Sequence, residues 1–411
     1  MRIGIWSAPT PDPDPAVTTR IARSLHEIDA GQWNALVAER SPFLSHEFLL
    51  ALEQSGCAVA DTGWDARHLL QLDAHGVLSG AMPLYLKSHS WGEFVFDFPW
   101  AEAYQRAGLC YYPRLVSAVP FTPASGPRLL TRSAGDDATR RALIVAAREL
   151  ARELPVSSLH VLFPDAADRE ALELEGLLPR LDCQFHWHNA DYGCFDDFLA
   201  GLTAEKRKKI RRERRRVSDA GIVHRTLHGD DLDDATIEAV YRLHARTFAR
   251  HGHAPYLNLA FFHLLAHTLP RSLVVELAIQ GGEAIACSVF LRGSDTLYGR
   301  YWGAGAERHS LHFETCYYRG IEYCIRERLA HFEPGAQGEY KLLRGFVPTP
   351  VWSMHDITDP RFRAAIGSWL GRERAHRRAY LRAATSHLPF RSADIPDRLP
   401  VDVRDCLAAE D

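Results

Sequence analysis

Residues Ser272–Trp302 read SLVVELAIQGGEAIACSVFLRGSDTLYGRYW. Three runs rich in β-branched and aromatic residues are divided by Gly281-Gly282 and by Gly293-Ser294-Asp295. The spacing predicts three antiparallel strands joined by tight turns. A segment with apolar residues at helical spacing, Leu311–Leu329, comes next. Upstream, IVHRTL reads as a strand, and Asp233–His251 and Leu259–Leu269 read as helices. Downstream, EYKLLRGFVPTPVWSMH reads as strand and loop before a helix from Arg361 to about Ala384. The order is strand, two helices, three strands, helix, strand.

The first half runs through a similar order. Ser45 precedes an apolar-periodic run in SPFLSHEFLLAL, a helix start. ARHLLQL and GVLSGAMPLYL flank DAHG as a hairpin. An aromatic loop, SWGEFVFDFPWAEAY, follows. PRLVSAVPFTPASGPRLL is a strand interrupted by Pro120 and Pro123, Asp136–Leu154 a helix, SSLHVLF a strand, Arg169–Gly176 a short helix and CQFHWHNA a strand. Asp191–Phe198 reads as a seam. FDDFLAGL and the basic run after it read as helix ending near Gly221. The class is α/β (α+β) with two similar halves, about 20–190 and 191–385. A disordered start (1–19) and a C-terminal tail (386–411) flank them.

A chain of 411 residues with 46% apolar and 24% charged residues buries a sizeable core and suits two or three domains. Charge is unevenly placed. Between Lys206 and Arg216, nine of eleven residues are Lys or Arg; Glu205–Arg216 carries a net of +7, against −11 for the remainder. A protein that coats a long polyanion spreads positive charge over a face. One local basic patch on an acidic body points instead to a confined phosphate-bearing ligand. The eight cysteines form no C-x-x-C pair, which argues for free thiols rather than a zinc ribbon or disulfide scaffold. The start has no apolar signal core, and no run reaches the ~18 apolar residues of a membrane span. The expected location is the cytoplasm.

The densest chemistry lies in the second half. Arg300, Gly303 and Gly305 follow the third strand as R-x-x-G-x-G, which fits either an acyl-donor pyrophosphate at a helix start or a tight turn. In the next helix Glu314, Tyr318 and Glu322 share one face. His309 and His312 lie at its start, where an imidazole tends to stay neutral. Acyl transfer to an amine needs a base and a donor for the developing oxyanion. His312 or Glu314 fits the first need and Tyr318 the second; a structural helix accounts for the same spacing equally well. Lys341 and Arg344, three apart, cannot share a face of a regular strand, so one is directed inward and needs an anionic partner. His263/His267 and His186/His188 have metal-like spacing without a further ligand and read as ordinary histidines; no metal site is expected. Ser45 and His46 stand at a helix start, where capping is the simpler role.

These blocks resemble a family. KRKKIRRERRRV, TFARHGHAPYL, LYGRYWG, LHFETCYYRGIEY and FEPGAQGEYKLLRGF, with PFTPASGPRLL and SPFLSHEFLLALEQSG in the first half, look like the FemAB-like group of predicted N-acyltransferases. The resemblance runs from about Ser41 to Leu370 and implies two tandem GNAT-like domains. The similar Fem ligases pass an aminoacyl group from aminoacyl-tRNA to a stem-peptide amine of a peptidoglycan precursor. Two departures stand out: no long helical arm for tRNA is visible, and the loop after Gly305 is too long for a standard coenzyme A site.

The resulting expectation is an N-acyltransferase that takes its group from acyl-CoA, acyl-carrier protein or aminoacyl-tRNA as co-substrate, with no bound cofactor. His312, Glu314 and Tyr318 form the catalytic set. Arg300, Gly303, Gly305, Arg207, Lys208, Arg211 and Arg212 form the donor set. Lys341, Arg344, Ser45, His46, Asp97 and Tyr104 form the acceptor set. A non-catalytic RNA- or tRNA-binding protein on a decayed transferase fold is the alternative, and peripheral contact of the basic helix with an anionic membrane a third.

Overall fold

A computed structural model describes residues 18–37, 41–250, 252–306, 308–336, 338–391 and 399–408. Most of the start read as disordered lies outside them, although β1 (Thr18–Ala22) already begins within that segment. The first half continues with α1 (Ala30–Val37), α2 (His46–Gln54), β2 (Trp64–Ala66), the hairpin β3 (His68–Leu72) and β4 (Leu78–Met82), β5 (Tyr85–Lys87) and α3 (Phe98–Arg106). Next come β6 (Arg114–Ser117), β7 (Leu130–Thr131), α4 (Asp137–Glu153), β8 (Ser158–Leu162), α5 (Ala166–Leu174) and β9 (Leu178–His188).

The second half opens with α6 (Phe195–Ala200) and α7 (Ala204–Asp219), followed by β10 (Val223–His228), α8 (Asp234–Arg250) and α9 (Leu259–Thr268). The three predicted strands are β11 (Leu273–Gln280), β12 (Glu283–Arg292) and β13 (Thr296–Ala304). A helix follows in three parts: α10 (Leu311–Phe313), a π-helical turn over Glu314–Tyr318, and α11 (Arg319–Arg326). Then come β14 (His331–Glu333), β15 (Val347–Ile357) and α12 (Pro360–Thr385). In the predicted tail, a helix α13 (Val401–Ala408) forms.

The strands make a four-stranded sheet, β1-β3-β4-β7, and an eleven-stranded sheet, β10-β11-β12-β13-β14-β9-β15-β8-β6-β5-β2. Each half contributes one parallel pair, β6 with β8 and β13 with β14. A helix bridges each pair, α4 in the first and α10–α11 in the second, because a parallel return needs a crossover. The last strand of each half crosses to the other. β9 pairs with β14 of the second half, and β15 pairs with β8 of the first. The core crosses as well: Phe43 of the first half meets Tyr298 at 4.9 Å, and Phe48 of α2 meets Phe261 of α9 at 5.6 Å, both edge-on.

Two expectations are corrected. The basic run does not continue from FDDFLAGL as one helix. Thr203 N–H donates to Pro389 O at 2.8 Å, and Leu202 bridges Phe390, so a distant segment holds 201–203 out of helix. EYKLLR is not a strand but a 3₁₀ turn over Glu339–Arg344, bounded by Gly338 (φ 113) and Gly345 (φ 86). Three residues per turn place Lys341 and Arg344 on the same side, which a strand forbids.

Candidate active site

The basic helix is partly a structural element. On α7, Ile210, Glu213 and Val217 are buried and make one stripe at helical spacing. Glu213 is the charged member of that stripe. Arg344 donates to both its oxygens at 3.1 Å, and the Tyr318 hydroxyl donates to it as well. Arg344 Nε donates to Tyr318 Oη at 3.0 Å, and the guanidinium lies 3.4 Å from the Phe313 ring centre. Arg214 donates to Glu314 at 3.0 Å and to Glu322 at 2.7 Å; Arg319 bridges Glu322 and Glu276.

Glu314, Tyr318 and Arg344 therefore do come together, as a network that docks α7 onto α10–α11. The Tyr318 hydroxyl has its proton committed to Glu213. Burial pushes the Glu314 carboxyl up, and Arg214 opposes that shift.

The outer face of α7 is different. Lys208, Arg212 and Arg215 are exposed, and Arg211 pairs with Asp196 at 2.9 Å on the surface. Arg207 donates to Ala200 O.

His312 sits among aromatic rings, 5.2 Å from those of Trp302 and Tyr317. Burial, with Arg344 and Lys341 nearby, holds it down to about 4. It is neutral, but the cause is desolvation rather than a helix start: α10 is three residues long and Ser310 before it is left-handed (φ 70). Lys341 is buried, donates to Gly335 O, and is lowered to about 7 by desolvation.

The glycine pattern has a packing explanation. A Cβ on Gly303 would lie 2.4 Å from the Leu243 carbonyl carbon, so the glycine lets α8 press on β13. The Gly305 N–H is already given to Ile285 O at 2.9 Å. The Gly305 amide is therefore not free for a pyrophosphate.

The remaining acceptor residues are dispersed. Ser45 Oγ accepts from Phe48 N as the cap of α2, and His46 Nε2 bonds Leu25 O at 2.8 Å. Asp97 accepts from Ser90 and Tyr111 in a buried network with Arg114, and Tyr104 lies on the Phe362 ring. None of these four adjoins Lys341 and Arg344.

A second arrangement centres on Glu333. β13 and β14 pair only over Thr296–Tyr298 and His331–Glu333, while β13 runs on to Ala304. The two strands thus diverge just past Glu333. On the other edge of β13 the register slips, with Val289 opposite Tyr301 and Phe290 opposite Gly299, which leaves Arg300 unpaired in a bulge. Arg300 reaches across to the first half and donates to Phe121 O and Thr122 Oγ1.

Below the divergence lies a groove of about 860 Å³. Its floor comes from β9, β14 and β15 (His186, His188, His331, Glu333, Thr349–Trp352). Its walls come from α5 (Arg169), α12 (Arg374, Arg378) and α13 (Asp405). Both halves build it.

Glu333 is 14% exposed at the side chain and 4.0 Å from His186 Nδ1. Its Oε2 has no hydrogen-bond partner among the described residues. Burial pushes the carboxyl up to about 8, against the pull of Arg300, the Ser125 N–H and Arg128. His188 is lowered to about 3 by burial and by His331, whose Nδ1 is 3.0 Å from its own. Sequence reasoning passed over Glu333 and treated His186 and His188 as ordinary. The available signal was a carboxylate inside FEPGAQ and two histidines on one strand face. Among the described residues no His, Cys, Asp or Glu cluster has the arrangement to hold a metal ion, and no helix is long and apolar enough to cross a membrane.

The family model FemAB-like, described as peptidoglycan biosynthesis/recognition, matches residues 24–392. No curated protein matches the chain. The crystal structure of FemX is similar over 83% of this chain and 98% of its own, at 11% identity and a TM-score of 0.51. A conserved protein of unknown function from Bacteroides thetaiotaomicron VPI-5482 is similar over 83% of this chain and all (100%) of its own, at 12% identity and a TM-score of 0.51. At such identities the likeness is one of fold. That fold is the predicted tandem of two GNAT-like α/β halves.

Proposed function

The chain belongs to the FemAB-like family, and from that premise we propose that it is an N-acyltransferase. It moves an acyl or aminoacyl group from an activated donor onto an amine held in the groove between the halves. Glu333 is the base that takes the amine proton. The observation that carries this reading is the largely buried Glu333 carboxyl, with one oxygen unpartnered among the described residues, where β13 and β14 diverge.

The energetics of proton transfer favour Glu333 over the residues singled out by spacing. An alkylamine such as a lysine side chain titrates near ~10.4 and enters as an ammonium. Passing its proton to a carboxylate of pKa about 8 costs roughly 3 kcal/mol at ~1.4 kcal/mol per unit. Passing it to His312, held at about 4, costs roughly 8–9 kcal/mol by the same arithmetic. A base is most effective with a pKa near the working pH. The freed amine lone pair then attacks the donor carbonyl; the donor's sulfur or oxygen leaves with the bonding electron pair and takes up the second proton that the nitrogen sheds as the amide forms.

The donor is acyl-CoA, an acyl-carrier protein or aminoacyl-tRNA. The exposed Lys208, Arg212 and Arg215 of α7 are the cations available to its phosphates, since Gly303 and Gly305 have other roles. The test is single-turnover transfer of labelled acyl groups from these three donors to a mixture of primary amines. Glu333→Gln should slow transfer by at least ~100-fold with an unchanged circular-dichroism spectrum, whereas His312→Ala should slow it far less. The opposite ranking would sink the assignment.

A further inference from the structure

Gln184, His186 and His188 are alternate residues of β9 and share one face of it. β9 meets β14 with His188 opposite His331 and Trp187 opposite Phe332. One step further along that register sets Glu333 beside His186. The Gln184 side chain is buried, and its amide is oriented from outside the groove. A carbonyl oxygen only accepts, so the group 2.9 Å from Pro123 O is Gln184 Nε2, which donates to it. Gln184 Oε1 is then the atom turned to His186 Nε2, at 3.1 Å. An amide oxygen also only accepts, so the imidazole carries its proton on Nε2. Burial keeps that imidazole neutral. Its Nδ1 is therefore a bare lone pair, and it stands 4.0 Å from Glu333 Oε1.

We infer that Gln184 is a positioning residue that acts on Glu333 through His186. By fixing the tautomer it denies the carboxylate a hydrogen bond on that side, which keeps Glu333 basic enough to take a proton from an ammonium. The inference rests on the reading of Glu333 as the base. A hydrogen bond to the charged form of an acid lowers its pKa. The other tautomer, with its proton on Nδ1, would supply such a bond, but it would turn a bare Nε2 against the Gln184 oxygen. At 4.0 Å the Nδ1 lone pair also repels an ionised Glu333. Arg300, Arg128 and Asp295 act on the same carboxyl, and Tyr298 of β13 is near enough to feel it. His188, His331 and Lys341 act on the imidazole. Arg169, Arg374, Arg378 and Asp405 line the outer walls. Replacing Gln184 removes none of these charges, so the change it makes at Glu333 reports the tautomer.

Carbon NMR of glutamate labelled at its carboxyl follows the titration of Glu333, with the line assigned by its loss in Glu333→Gln. The wild-type line should titrate near pH 8. In Gln184→Met the imidazole is free to carry its proton on Nδ1. The midpoint should then fall by about one unit, or tenfold in proton affinity, the worth of one hydrogen bond. The rising limb of kcat/KM for acyl transfer should move down with it, a shift that a merely structural defect would not produce.

An unmoved Glu333 midpoint in a Gln184→Met protein that keeps its circular-dichroism spectrum would overturn the proposal. Nitrogen NMR of the His186 ring in the wild type needs no variant to fold; a proton found on Nδ1 on either side of the Glu333 midpoint would overturn it as well. A midpoint that falls while Glu333→Gln keeps wild-type transfer would uphold the hold of Gln184 on the carboxyl and remove only the reading of Glu333 as the base.

Discussion

Replacing Glu213 by alanine tests whether the basic helix α7 is held in place by its one buried acid or is a solvated surface helix. Glu213 and Arg344 are buried, with side chains 5% and 4% exposed. Removing the carboxylate leaves the Arg344 charge without its ion-pair partner and the Tyr318 hydroxyl without its acceptor. Breaking a buried pair from one side typically costs ~3–5 kcal/mol. The orphaned hydroxyl alone would cost ~1–3 kcal/mol and belongs to the same network, so the two do not add. A loss of ~3–5 kcal/mol is expected.

The companion variant is Arg211→Ala, whose pair with Asp196 is exposed at 53% and 75%; it should cost ~0–1 kcal/mol. Replacing both buried partners, as Glu213→Leu with Arg344→Met, should recover most of the loss. Urea unfolding followed by tryptophan fluorescence and circular dichroism gives the differences. If Glu213→Ala proves as mild as Arg211→Ala, α7 is a solvated helix and the docking network is not what holds it.

Other outcomes follow from single groups. Glu333 is raised from 4.5 to about 8, so between those values the native state holds a proton that the unfolded chain has lost. Stability contributed by this group falls as pH rises through that window. Glu333→Gln should therefore gain on the wild type, by the order of a few kcal/mol, between urea titrations at pH 5 and pH 9. Lys341 has the reverse sense: lowered from 10.5 to about 7, it is neutral in the native state and charged in the unfolded chain between those values. Lys341→Met should stabilise most below pH 7 and least above 10.5, read by the same titrations. Gly303→Ala places a methyl against the α8 backbone and should cost at least the upper end of ~1–3 kcal/mol. A melting temperature within a degree of wild type would show that α8 can yield.

Much of the architecture is legible in local pattern. The hairpin around DAHG, the three strands between Leu273 and Ala304, and the caps at Ser45 and Asp136 follow from turn and capping chemistry that neighbours alone decide. What escaped depends on contacts distant in sequence. Gly201–Thr203 breaks the basic helix because Pro389 and Phe390 arrive there. EYKLLR reads as a strand until the left-handed Gly345 closes it into a 3₁₀ turn.

The spacing of Glu314, Tyr318 and Glu322 shows that they share a face, and the basic run is conspicuous. That Glu213 and Arg214 are their partners appears only when α7 is set against α10–α11. Glu333 is one acid in a three-residue strand. Its altered acidity comes from the divergence of β13 and β14 and from β9, which closes the groove beside it.

The most direct test of the account is the pH profile of kcat/KM for acyl transfer to a primary amine, in the wild type and in Glu333→Gln. The wild type should show a rising limb with its midpoint near pH 8, levelling off only about a unit above that. In Glu333→Gln that limb should vanish and the rate should fall by at least ~100-fold, leaving only the ionisation of the amine itself near ~10. The same profile and rate in both proteins would contradict it.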